Sequence, residues 1–171
     1  MPNLDDILRR AQSVQAGLQG GDIPRLAVLP CEDDILDLQR EQLAEGKAAS
    51  GEDLRPYYSE DIKPSGYFKS TATAANYAAW KGSINNPYEA GPRNPDAPNL
   101  FITGKFYGEI GVEFAADMAH VVARTPFAAQ VMAKYAGQFG LTYERWMTIM
   151  WEHGGYERML NEVKNILSNA T

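Results

Sequence analysis

The segment from Asn99 to Thr142 limits what this chain can fold into more than any other stretch. Phe106 to Phe114 alternates in polarity, Ala115-Ala116-Asp117 offers a turn, and His120 to Arg124 alternates again. A period of two is the mark of a strand with two unlike faces. Ile110, Val112 and Phe114 fall on one face, and Glu109, Gly111 and Glu113 on the other. On the return strand, Val121 and Ala123 oppose His120, Val122 and Arg124, so the acidic face of one strand can pair with the basic residues of the next. A hairpin alone is marginal in water, so helices must cover it. Thr125-Pro126 begins one, since proline suits the first helical turn. Phe127, Val131 and Tyr135 line one side of that helix, and Gly137 and Gly140 close it. Thr142 caps a further helix in which Trp146, Ile149, Met150 and His153 share a face. Gly154-Gly155 breaks it, and Tyr156, Met159, Leu160, Val163, Ile166 and Leu167 predict a last amphipathic helix.

Upstream, Leu4, Ile7, Leu8, Ala11, Val14 and Leu18 recur at helical spacing and predict an amphipathic helix, with Asn3 as cap and Gly20-Gly21 as stop. Ile23 to Leu29 lies between Pro24 and Pro30 and reads as an extended crossing segment. Glu32 to Glu45 reads as a helix with Ile35, Leu36, Leu38, Gln42 and Leu43 inward and Gly46 as its stop. Lys47 to Gly66 and Gly82 to Pro98 are loop-like, and Thr71 to Lys81, capped by Ser70, is a short helix between them. The expected fold class is α+β: a small antiparallel sheet (hairpin about 106–124) packed by several helices, with long loops. The expected organisation is one domain over 1–171, in which 47–98 is an extended arm that orders on assembly.

Charge narrows the range of partners. Residues 32–61 hold ten acidic and three basic side chains, whereas the rest of the chain sums to +1. Phosphate backbones repel such a segment, so sequence-specific nucleic-acid binding is not expected. No apolar run approaches the roughly 20 residues that span a bilayer, and the first residues do not have the form of a secretory signal. Cys31 is the only cysteine, which excludes an internal disulfide.

Chemical motifs are sparse. Gly104-Lys105 suggests a phosphate loop, but Asn99 stands where its first glycine belongs and Phe106 where a magnesium-binding hydroxyl belongs. His120 and His153 are the only histidines. A Cys/His nucleophile would need one of them beside Cys31, whose acidic neighbours raise its pKa; a structural cysteine is the plainer reading. The paired acids lie in polar context without a glycosidase cleft or a calcium-loop pattern. No catalytic, cofactor-binding or metal-binding residues are therefore assigned. Loop aromatics remain: Tyr57, Tyr58, Tyr67, Phe68, Tyr77 and Trp80, which serve either as interface anchors or as ties holding the loops to the domain. Asp117, in the hairpin tip Ala115 to Met118, and Arg124 complete the candidate interface set.

The order of certain short elements carries a resemblance. Gln42-Leu43-Ala44-Glu45-Gly46 is followed by the Gly- and Tyr-bearing stretch Gly51 to Lys69, then Leu100-Phe101-Ile102-Thr103-Gly104-Lys105-Phe106, the hairpin, Arg124-Thr125-Pro126-Phe127-Ala128 and Phe139-Gly140-Leu141-Thr142. Over about Glu32 to Thr142 the chain resembles the tail-completion and minor head–tail connector proteins of tailed bacteriophages, especially forms from phages of Bacteroidetes. The resemblance implies a non-enzymatic virion protein of the neck, forming a homo-oligomeric ring that joins the portal or its adaptor to the tail. It implies partners among copies of itself and the portal, adaptor and tail proteins, and a location in the virion, with the host cytoplasm during assembly. The loop Gly82 to Pro98 and the helices after Thr142 are longer than that pattern. The alternatives are another phage structural or interaction module, or a small enzyme using Cys31 with His120 or His153.

Overall fold

A computed structural model describes residues 4–89, 91–115 and 119–169. In chain order its elements are helices α1 (Leu4–Gln19), α2 (Asp22–Val28), α3 (Glu32–Ala44), α4 (Thr71–Gly82) and α5 (Lys105–Gly108), strands β1 (Ile110–Phe114) and β2 (Ala119–Ala123), and helices α6 (Pro126–Lys134), α7 (Tyr143–Trp151) and α8 (Gly155–Asn169). A 3-10 turn, Leu29–Cys31, joins α2 to α3. β1 and β2 form a two-stranded antiparallel sheet, so the architecture is α+β as the alternation required. The chain divides into two compact units: Met1–Ile35 with Val112–His120 and Glu144–Thr171, and Leu36–Gly111 with Val121–Tyr143. We call them the terminal and the central unit.

In the terminal unit, α1, α2 and α8 contact one another. Ile23 and Ala27 on α2 are buried, as are Cys31, Ile35 and Ile149. The expected extended segment at Ile23–Leu29 is instead helical. Pro24 falls in the first turn of α2, where an amide has no carbonyl to meet, so proline costs nothing there. Gly17 lets α1 approach α2: a Cβ at this position would lie 2.9 Å from Ile23 Cδ1.

The central unit is built on two buried glutamines of α3. Gln42 donates from Nε2 to the Gly140 carbonyl (2.8 Å) and accepts the Thr142 amide at Oε1 (2.9 Å). Gln39 Oε1 accepts the Gly140 amide at 2.9 Å. Side-chain amides thus satisfy a backbone segment that lacks a strand partner. Gly46 ends α3 with φ +72°, and a Cβ there would press on Ala97 Cβ at 3.1 Å. Beyond it, Ala49 donates to the Gln138 carbonyl (2.9 Å), while the Arg55 backbone and the Gln138 side chain exchange two bonds of 2.7 Å each.

Segment 47–98 accordingly differs from the extended arm read from its composition. Leu54, Tyr58, Phe68 and Ala97 from it are buried core residues, and Lys47↔Asp53 and Ile62↔Phe68 form isolated bridges. Ser70 caps α4 in a reciprocal capping box with Thr73, as expected. The strand expected from Phe106 begins only at Ile110. Lys105–Gly108 is a single helical turn, entered through Gly104 at φ +78°. Around it, Tyr107 donates its hydroxyl to the Asn99 carbonyl (2.6 Å) and Arg40 donates to the Tyr107 carbonyl (3.1 Å). Arg124 donates its amide to the Glu109 carbonyl at 2.7 Å, which sets the base of the hairpin. Thr125 caps α6 by accepting the Ala128 amide, with Pro126 in the first turn.

Candidate functional site

The amphipathic helix read over Leu4–Leu18 is α1, and its apolar stripe is not the face it turns to its own chain. The half-buried positions are Asp6, Arg10, Val14 and Gly17. The apolar stripe Leu4, Ile7, Leu8 and Leu18 is exposed, at 70%, 51%, 52% and 43%. At roughly 100° per residue the two faces are offset by about a quarter turn and share Val14. No described residue of α1 is buried. What holds its inner face is polar and small: Arg10 reaches the Leu167 carbonyl of α8 (2.5 Å), and Gly17 allows the close approach to Ile23.

The rest of the terminal unit continues the pattern. Leu26 and Leu29 are exposed, as are Tyr156, Leu160 and Leu167 at positions i, i+4 and i+11 of α8. Trp151, 60% exposed, stacks on Tyr156 with ring centroids 4.7 Å apart. Of the fifteen exposed large hydrophobic side chains among the described residues, ten lie in this unit. Exposed apolar side chains concentrated in one unit make it the candidate surface of this chain. The sequence signal was the stripe itself; periodicity says which side chains share a face, not whether the chain covers it.

Of the candidate interface residues, five form one aromatic chain in the central unit. Tyr58 meets Phe68 (6.0 Å between centroids) and Tyr77 (5.1 Å), Phe68 meets Tyr67 (5.2 Å) and Tyr77 (5.1 Å), and Tyr77 meets Trp80 (5.3 Å). Tyr58 and Phe68 are buried with Ala74, so of the two roles open to them they take the tie that holds the loops to the unit, not the exposed anchor. Tyr67 (72% exposed) and Trp80 (48%) are the ends of this chain that reach solvent. Tyr57 is half-buried, donates to Asp53 (2.9 Å) and carries the Arg55 guanidinium 3.6 Å above its ring. Arg124 is exposed and lies against Gly111, where a Cβ would fall 1.9 Å from its Nε. Asp117, like the hairpin tip 116–118, lies outside the described residues.

Asp53 is the polar centre that holds the loops. Its carboxylate accepts from Lys47 (2.7 Å), Asn94 (2.8 Å) and Tyr57, and the first two of these bonds lead in pulling its pKa down to about 2. Lys47 and Tyr57 are near in sequence, whereas Asn94 comes from the second loop, 41 residues on.

Cys31 and His153 do meet, in the terminal unit, but not as a nucleophile and base. The thiol faces the backbone carbonyl of His153 (3.7 Å), while the imidazole Nδ1 turns to Asp34 (3.1 Å). Arg158 Nη2 lies 2.6 Å from the sulfur. Burial raises the thiol pKa; Arg158 opposes that shift and Asp34 adds to it. Burial thus disfavours the thiolate that nucleophilic chemistry needs. His120 is exposed on β2. Among the described residues no three His, Cys, Asp or Glu side chains cluster as metal ligands, and no helix is long and apolar enough to cross a membrane.

No protein-family model, curated protein or solved structure matches the chain.

Proposed function

We propose that this chain is a non-enzymatic structural subunit that assembles with copies of itself into a ring, in the neck of a tailed bacteriophage between the portal or adaptor and the tail. The observation that carries the assembly reading is the outward apolar stripe of α1. A 16-residue helix that buries none of its described residues gains little from its own chain. Its leucines and isoleucine gain once a neighbouring subunit covers them, at about 25 cal/mol per Å² removed from water. Head-to-tail contact between unlike faces closes into a ring when the rotation allows. The exposed acids Asp37, Glu52 and Glu60 of the central unit offer one such unlike surface.

The phage reading rests on the ordered motifs, and these residues have structural work to do here. Gln42 holds Gly140 and Thr142, Gly46 and Gly104 have positive φ, and Thr125-Pro126 starts α6.

Native mass spectrometry and negative-stain microscopy of the purified chain test it. The expected result is a closed multi-subunit ring that Ile7→Asp with Leu8→Asp reduces to monomer without loss of helical circular dichroism. A wild-type chain that stays monomeric at tens of micromolar would overturn the assembly reading. Failure of a formed ring to bind portal or tail proteins encoded beside its gene would overturn the neck assignment alone.

A further inference from the structure

The central unit contains a cavity of about 320 Å³ whose walls include Tyr58, Tyr77, Phe106, Phe127 and Tyr135. Lys81, in the last turn of α4, also lines it and is only 2% exposed. The ammonium donates one hydrogen bond, to the Phe101 carbonyl. Among the described residues no carboxylate forms an ion pair with it. A buried ammonium with three donors and one neutral acceptor is under-satisfied.

Its surroundings sharpen the point. Arg93, whose side chain is 5% exposed, is a second buried cation in the same unit. Its Nη1 is spent on the Ala97 carbonyl (2.9 Å), and its Nε stands 3.8 Å from Glu89 without a hydrogen bond. Burial first, then the charge of Arg93, pushes the Lys81 pKa down to about 8. The phenols of Tyr58 and Tyr135 are pushed upward by burial, so they stay neutral and supply no counter-charge. Among the described residues the other cation on the cavity wall is Lys134, already engaged by Asp61 at 2.5 Å.

We infer that this cavity binds a carboxylate carried on an aromatic or branched apolar body, with the carboxylate on Lys81 and the body against the aromatic wall. The size fits: small-molecule sites begin near about 300 Å³ and combine apolar walls with few polar groups. One cation without a counter-charge among aromatic rings suits a single negative charge, whereas a phosphate would ask for several donors. The carboxylate can come from a free small acid or from the end of a partner's chain. The inference does not rest on the assembly reading.

The probes are 3-phenylpropionate, its neutral amide, and a short peptide ending in phenylalanine with a free or amidated C-terminus, titrated by ligand-observed NMR at neutral pH. The acid form should bind about tenfold or more tightly than the amide. Tighter binding of the peptide than of phenylpropionate assigns the site to a partner's chain end, and the reverse to a free acid. Lys81→Met keeps the length and removes the charge; it should abolish the acid-over-amide preference. Raising the pH from about 7 to about 9.5, across the Lys81 value of about 8, should weaken the acid and leave the amide unchanged in the wild-type chain, a readout that needs no variant. Equal affinity for acid and amide, no binding of either acid, or an acid preference that survives in Lys81→Met would overturn the inference.

Discussion

Arg158 is the side chain on which the terminal unit most visibly depends. It leaves α8 to donate from Nε to the Ala27 carbonyl (2.6 Å) and from Nη2 to both Cys31 Sγ (2.6 Å) and the His153 carbonyl (2.8 Å). Ala27 sits in the last turn of α2, where carbonyls draw on partners from beyond the helix. His153 sits in the α7–α8 corner, and Gly154 beside it has φ +75°. One planar guanidinium therefore satisfies two helix ends and the thiol between them. Arg158→Met retains the stem packing and deletes the fork. Each bond to a charged donor is worth about 1.5–3 kcal/mol, but three bonds from one group do not add. Freed carbonyls at this half-buried site regain part of their loss from water. The net expectation is a loss of about 2–4 kcal/mol, a substantial part of a typical total of about 5–15 kcal/mol. Arg158→Lys, a point charge able to reach one acceptor at a time, should lose about half as much. Urea unfolding at fixed protein concentration measures both, with fluorescence reporting on Trp146 and Trp151 of the same unit. A change under about 0.5 kcal/mol in Arg158→Met would refute the argument. Full recovery in Arg158→Lys would show that charge, not the planar fork, is what matters.

Two further outcomes follow from the central unit. A Cβ at Gly66 would stand 2.0 Å from the Asp61 carbonyl carbon, and backbone cannot step aside as a side chain can; Gly66→Ala should cost about 1–3 kcal/mol in the same assay, and a neutral result would mean the 61–66 turn is looser than described. Asp53 has a folded pKa of about 2, below its ordinary value of 3.8; its contribution is present above the ordinary value and is lost as pH falls through the folded one. Stability should therefore drop between about pH 4 and pH 2, and Asp53→Asn should flatten that limb; an Asp53 carboxyl that titrates by NMR near 4 would contradict it.

The helices were legible wherever local chemistry decides. Ser70, Thr125-Pro126, Gly20-Gly21 and Gly154-Gly155 mark ends by capping and backbone freedom, which need no tertiary knowledge. Pro24 misled because the same residue breaks a helix interior and begins a helix, and only the position of the first turn separates the two. Phe106 to Gly108 misled because its alternation was too short to outweigh the left-handed turn at Gly104. The long loops misled in another way. Polar, glycine-rich composition reads as an arm, yet Gln39, Gln42, Asp53 and Gln138 supply the hydrogen bonds that a strand would have supplied. The partners of the three glutamines stand 83 to 101 residues away, and Asn94 stands 41 from Asp53, so no local window contains both.

The same distinction separates the two candidate surfaces. At α1 the apolar stripe was visible in the sequence, and what the structure adds is that this chain leaves it uncovered. At Lys81 the reverse holds: a lysine near a helix end looks like an ordinary dipole partner, and only the fold reveals that it is buried without a counter-charge. The first surface offers area with little chemical selectivity, as contact between large subunits requires. The second offers one charge in a small aromatic cavity, which selects by chemistry and buries little. Loss of the α1 stripe should leave carboxylate binding at Lys81 intact, because the two lie in different compact units and share no side chain. Chains carrying Ile7→Asp and Leu8→Asp that lost both assembly and phenylpropionate binding would show that the cavity is completed only by a neighbouring subunit.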